Sequence, residues 1–159
     1  MEVQEGKGLD IELFSKADHS IRAADHLAYI IYPLLKDEKL LKQIFNEIST
    51  CTINIINAIL YQAHKKGEHL SQDKRQNFEF FKKYSSKFLT PEEIQTLSHL
   101  FEIVEQHKTN SVDFIRKDSF IIMINGSKTE SITLDKIKMY INLLKSAVQK
   151  FKAYQSQGD

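Results

Sequence analysis

The first pattern able to carry chemistry is a repeated tripeptide, Ala17-Asp18-His19 and Ala24-Asp25-His26, with Arg22 between the copies. Seven residues is close to two helical turns, so the copies share nearly one face. Arg22 stands four residues after Asp18 and three before Asp25, the spacing of ion pairs along a helix. Carboxylates, imidazoles and a guanidinium on one face are the ingredients of proton transfer or metal binding. Geometry excludes a site made by the two histidines alone, because they lie about 10 Å apart along the axis whereas metal bonds are near 2 Å. No Glu-x-x-His occurs, which removes the di-iron signature of ferritin-like bundles. The expectation is a solvated, salt-bridged face, and no metal or cofactor is expected. If the chain is an enzyme, the candidates are Asp18, Arg22, Asp25 and His26, with His64 as a further member from another helix.

A second polar stripe, Glu47, Thr50, Asn54, Asn57, Tyr61 and His64, runs along an otherwise apolar segment. It is either the solvent side of a helix or a polar groove in which Asn54, Asn57 and Tyr61 hold a base or sugar edge. Amides and a phenol suit binding better than bond breaking, because they include neither an activated nucleophile nor a carboxylate pair. Cys51 has apolar neighbours and no basic residue at helical contact spacing, so it reads as core. Neither a nucleophile elbow nor a phosphate-cradling glycine loop is present; Gly126-Ser127-Lys128 lacks the upstream glycine.

From His64 to Phe88 the chain carries Lys65, Lys66, Lys74, Arg75, Lys82, Lys83 and Lys87, opposed by Glu68, Asp73 and Glu79. Phe78, Phe80, Phe81, Tyr84 and Phe88 interleave with them. Single-stranded nucleic-acid binders combine cations on phosphates with rings under bases in this way. Phe78, Phe81 and Phe88 are at core spacing, and Phe80 is expected to face outward. Lys138, Lys145 and Lys152 form a further basic stripe near the end of the chain, expected to join this surface. The polar segment His107 to Asp118 adds Arg116 and Lys117 as phosphate contacts, while Asp113 and Asp118 are expected to pair internally.

The elements that must position these residues follow from periodicity. Phe14, Ala17, Ile21, Ala24, Ala28 and Ile31 make one stripe of a first helix over Asp10 to Tyr32, which Pro33 should end or kink. Asp37 caps a second helix with Leu41, Ile44, Phe45, Ile48, Thr52, Ile55, Ile56 and Ile59 inward, running to about Lys66 with Gly67 as its C-terminal cap. A third follows Ser71. Thr90-Pro91-Glu92-Glu93 is a capping box that starts a fourth at Pro91, fading between His107 and Asn110. Phe120 to Ile124, Asn125-Gly126 and Thr129 to Thr133 read as a β-hairpin. Thr133 or Asp135 then opens a last helix with Ile137, Tyr140 or Ile141, Leu144, Val148 and Phe151 inward. The predicted fold class is all-α: an antiparallel four- to five-helix bundle with one β-hairpin at about 119–133 before the last helix. It forms a single domain over 1–159, with 1–9 and 155–159 frayed.

Composition agrees. Among 159 residues, 22 Lys plus Arg face 21 Asp plus Glu, which argues against an indiscriminate polyanion binder. The five Gly and two Pro argue against an all-β sandwich. A lone Cys points to no oxidising compartment, the polar start predicts no secretory signal, and the apolar runs fall short of the roughly 20 residues of a membrane span. A cytoplasmic protein without membrane contact is expected.

This arrangement, an Arg, Asp and His face on the first helix with Asn inside a long second helix, resembles the HEPN class of small helical bundles over about Asp10 to His107. The resemblance implies dimerisation and action on or near RNA. The active ribonucleases of that class carry Arg, four to six residues, then His. Here Arg22 and His26 are separated by three, and Arg75 and Arg116 have no following His in range, so the motif is absent. The leading expectation is a non-enzymatic homodimer that binds RNA or single-stranded nucleic acid through Lys74, Arg75, Lys82, Lys83, Arg116 and Lys117. The alternative is an adaptor that binds partner proteins.

Overall fold

The computed structural model describes residues 8–67, 73–109, 112–124 and 128–157. Helix α1, Leu9–His26, runs without a break through a π turn, Leu27–Ile31, into α2, Tyr32–Leu35. Pro33 therefore does not end the helix. A proline ring in a regular α-helix collides with the carbonyl four residues back and lacks the N–H that would bond it. The wide turn relieves both, because the Tyr32 N–H reaches back five residues to the Leu27 carbonyl. The helix ends instead at Lys36, which is left-handed at φ 49.

Helix α3, Lys39–Lys65, is the central element and touches α1, α4, α5, α6 and the middle strand. Its apolar stripe is buried as its spacing requires, from Leu41 to Ala63. The Asp37 carboxylate accepts from the Lys39 N–H at 3.0 Å, and Gly67, at φ +92, closes the other end. Helix α4, Lys74–Ser85, is capped by Asp73; Ser71 lies outside the described residues. Helix α5, Pro91–Thr109, starts at the expected box: the Glu93 N–H donates to Thr90 Oγ1 at 3.1 Å and the Thr90 N–H to Glu93 Oε1 at 2.9 Å. Helix α6, Leu134–Gln157, begins under a Thr133 cap and buries Ile137, Tyr140, Ile141, Leu144, Val148 and Phe151. It stays helical through Gln157, three residues into the tail that the sequence reads as frayed, and α1 begins at Leu9; 1–7 and 158–159 lie outside the described residues.

The inserted β element is larger than a hairpin. Strands β1 (Asp113–Arg116), β2 (Ser119–Ile124) and β3 (Lys128–Thr133) form an antiparallel meander in the order β1-β2-β3. The expected Asn125-Gly126 turn lies outside the described residues. β1 comes from the segment read as a polar loop; its short alternation pairs Phe114 with Ile121 and Ile115 with Phe120. One sheet face carries Ile115, Phe120, Ile122 and Ile132 against the helices, with Phe120 packed on Phe45 of α3 at a ring separation of 5.4 Å.

Ion pairs fix the directions. Lys65 at the end of α3 meets Asp10 at the start of α1, Lys145 of α6 meets Asp25, and Lys150 meets Glu93 of α5. α1 and α5 thus run one way and α3, α4 and α6 the other, since Lys74 at the start of α4 meets Glu105 late in α5 and Phe78 stacks on Phe101. The sheet caps the end where α3 begins. No described helix is long and apolar enough to cross a membrane.

Candidate functional site

The tripeptide repeat of α1 is taken apart by the fold. Asp18 pairs with Arg22 at 3.1 Å on an open surface, whereas Asp25 is held by Lys145 at 2.9 Å and ties α1 to α6. His26 is exposed. His64 belongs to the far end, one residue from the Lys65 that meets Asp10; sixteen residues of α1 separate Asp10 from His26, about 24 Å at helical rise. These five candidates do not converge. Among the described residues, no group of His, Cys, Asp or Glu is arranged to hold a metal.

The polar stripe of α3 is also divided. Asn54 spends its amide on the Thr50 carbonyl at 2.8 Å, Asn57 is exposed, and Tyr61 is half-buried with Lys65 over its ring at 5.8 Å. Cys51 is buried, and burial, followed by the nearby Asp18 charge, pushes its thiol far above the ordinary range. A neutral, enclosed thiol is not a nucleophile.

The basic residues fall into separate groups. Lys74 reaches Glu105 at 3.8 Å and Lys82 reaches Glu79 at 2.7 Å, each pair with one exposed and one half-buried member, solvated enough to be weak and readily exchanged. Arg116 and Lys117 form the β1–β2 turn at the sheet end, next to the strand whose Asp113 meets Lys42. Lys42 and Lys66 are about 36 Å apart along α3, so Arg116 and Lys117 do not join the cations around Lys66. The α6 stripe also turns elsewhere: Lys145 goes to Asp25, and Lys138 lies over Tyr29 at 5.2 Å.

What does converge is an edge formed by α4 and the C-terminal ends of α3 and α6. Tyr84 and Phe88 meet Tyr154 of α6, with Phe88 stacked on Tyr154 at 4.6 Å and Tyr84 edge-on to it at 6.2 Å. Phe80, expected to face outward, is half-buried and stacked on Tyr84. Lys87 lies over the Tyr84 ring and Lys66 over the Tyr154 ring, each 4.7 Å from the centroid. The Tyr84 hydroxyl donates to Tyr154 Oη at 3.5 Å. That hydrogen bond and the positive charges of Lys66 and Lys87 outweigh burial and hold the Tyr154 phenol below its ordinary range. Among the described residues, Arg75, Lys66, Lys83 and Lys87 meet no carboxylate within ion-pair distance. Sequence reading had the lysines and the aromatic residues of this edge but not Tyr154, which α6 delivers from 70 residues away.

A different polar cluster sits at the sheet end. His107 Nε2 is 2.7 Å from Asp113 Oδ2, and Lys42 Nζ is 3.0 Å from Asp113 Oδ1. Burial pushes the Asp113 carboxyl up, but the hydrogen bonds from His107 and Lys42 more than offset this and hold it below its ordinary range. The imidazole is wedged edge-on between Phe45 and Phe120. His99 and Glu130 repeat the pairing at the opposite sheet edge, at 3.1 Å. Both pairs join α5 to the sheet, a fastening role for which an acid–base role is not needed. The expected internal pairing of Asp113 is thus made with α3 and α5, not with Arg116 or Lys117.

No protein-family model, curated protein or solved structure matches this chain.

Proposed function

We propose that the protein binds RNA or single-stranded nucleic acid, without catalysing a reaction, through the edge that carries Arg75, Lys83, Lys87 and Lys66. The observation that carries this reading is the pair Lys66 and Lys87, which lie over neighbouring rings of one aromatic cluster with no carboxylate partner among the described residues, while Lys83 and Arg75, also without one, lie on α4 with Tyr84. The rings are already packed on one another, so phosphates rather than bases are the main contacts, and sequence preference is weak. Lys74 and Lys82 extend the edge by exchanging the carboxylates of Glu105 and Glu79 for phosphates. The resemblance to HEPN bundles, which act on or near RNA, adds to this reading, as does the cytoplasmic location expected from the sequence.

The test is binding of a fluorescent single-stranded RNA over a salt series. A dissociation constant near about 1–100 μM is expected at low salt, with a log–log slope of about −0.7 for each phosphate contact. Replacing Lys83 and Lys87 by Glu should flatten the slope by about 1.4 and weaken binding. An unchanged slope, or no binding at low salt, overturns the proposal.

A second reading, as a homodimer or an adaptor for partner proteins, is favoured by one other observation. Leu34, Leu35 and Ile30, 76%, 66% and 50% exposed, crowd the turns around the π bulge beside the 38% exposed Tyr29. Apolar side chains gathered in this way on a surface commonly mark an interface.

A further inference from the structure

Lys66 and Lys87 share an arrangement that a cation at the end of a helix does not require. A lysine after a helix C-terminus is ordinarily accounted for by the carbonyls exposed there. Lys65 shows a simple outcome, since its ammonium is neutralised by Asp10 at 3.1 Å. Lys66 and Lys87 instead come from different helices, lie over neighbouring rings, and are close enough to Tyr154 for both to stabilise negative charge on its oxygen. No described carboxylate answers either of them.

We propose that Lys66, Lys87 and the Tyr84–Tyr154 phenol pair seat the terminal phosphate of a nucleic-acid strand. The inference rests on the nucleic-acid reading above and specifies which part of the strand this spot takes. A phosphate within a strand carries one negative charge and needs one cation. A terminal monoester carries about −1.5 to −2 at neutral pH and presents three strongly accepting oxygens. Two ammonium groups match that charge. The phenols match the acceptors, because Tyr84 donates to Tyr154 and leaves the Tyr154 hydroxyl proton for an incoming oxygen. Phe88, stacked on Tyr154, holds this phenol in place, so little ordering remains to be done on binding. Arg75 and Lys83, farther back along α4, are then the contacts for the phosphates that follow.

The experiment compares two RNAs of one sequence, labelled at the 3′ end, one bearing a 5′-phosphate and the other a 5′-hydroxyl, at low salt with the full chain. The 5′-phosphorylated strand is expected to bind about tenfold more tightly, the scale of one or two charge-assisted hydrogen bonds. Lys66→Ala, Lys87→Ala and Tyr154→Phe should each reduce that ratio, whereas Lys83→Ala should weaken both strands equally and leave the ratio intact. Circular dichroism of each variant confirms folding, and all the replaced lysines are exposed. Equal binding of the two strands overturns the terminal-phosphate assignment while leaving the nucleic-acid reading standing. Binding of neither overturns both. A ratio that survives Lys66→Ala and Lys87→Ala places the recognition elsewhere and overturns the assignment as well.

Discussion

A single carboxylate shows how much tertiary work one side chain can do in this protein. Asp113 opens β1, and its two oxygens divide between Lys42 of α3 and His107 of α5. Neither partner is near it in sequence except His107, and nothing in the spacing announces the contact with Lys42. Because the folded chain holds the Asp113 carboxyl below its ordinary range, the proton binds the unfolded chain first as pH falls. An unfolded Asp titrates near about 3.9, so the stabilisation is complete above that pH and is lost as pH falls through the lower folded value. Asp113→Asn should therefore cost about 1–3 kcal/mol at pH 7, the scale of hydrogen bonds to a charged group. Its deficit relative to the wild type should shrink as pH is lowered from about 5 to about 2. Urea unfolding of both proteins across that range measures it. Glu93 is also held low, but it is present in both chains and cancels in the difference. A deficit that does not change with pH would show that the charge on Asp113 is not what the fold uses.

Among the elements, α5 depends most visibly on its first turn. Thr90 and Glu93 close a reciprocal box, and Glu93, 3% exposed, also takes the Lys150 ammonium at 2.6 Å. One carboxylate thus serves as a cap for α5 and as a tie to α6. Thr90→Ala removes the hydroxyl acceptor alone and should cost about 1 kcal/mol. Glu93→Ala also strands the Thr90 amide and the Lys150 ammonium, so its cost should exceed that of Thr90→Ala by about 1 kcal/mol or more in denaturant titrations. Equal costs would mean that neither the Thr90 amide bond nor the Lys150 pair adds to the stability. This box was legible in the sequence, as were the buried stripes of α3 and α6, because caps and periodicity are local and repeat over many residues. The π turn was not, since Pro33 alone argues for an end or a kink and the relief lies in a carbonyl five residues behind Tyr32. β1 was missed because its four residues, Asp113–Arg116, offer too short an alternation among polar neighbours. The cationic edge was half visible: Lys66, Lys87 and Tyr84 stood in one basic run, but the contact with Tyr154 is made by helix packing.

For the molecule as a whole, near-neutral charge conceals a division between two ends. One end joins the sheet to α5 by His–carboxylate pairs and to α3 through Lys42, and the other gathers Lys66, Lys87 and the phenols. The exposed apolar side chains around the π bulge belong to neither function. The extra residue in that turn changes the direction in which later side chains leave the helix, and Leu34 and Leu35 are left facing water. Charges of both signs adjoin them in Lys36, Asp37, Glu38 and Lys39. Such a border suits a two-fold contact, in which the lysines of one copy face the acids of the other and the leucines meet in the middle. If a second copy covers this surface, Leu34→Asp together with Leu35→Asp should convert a dimer to a monomer in light scattering without loss of helical signal, because neither leucine is part of the buried core. RNA binding per chain should persist in that monomer, since the cationic edge is assembled within one chain. A wild type that is monomeric at every accessible concentration would remove the dimer. An unfolded double variant would instead show that the leucines support the fold from outside its core.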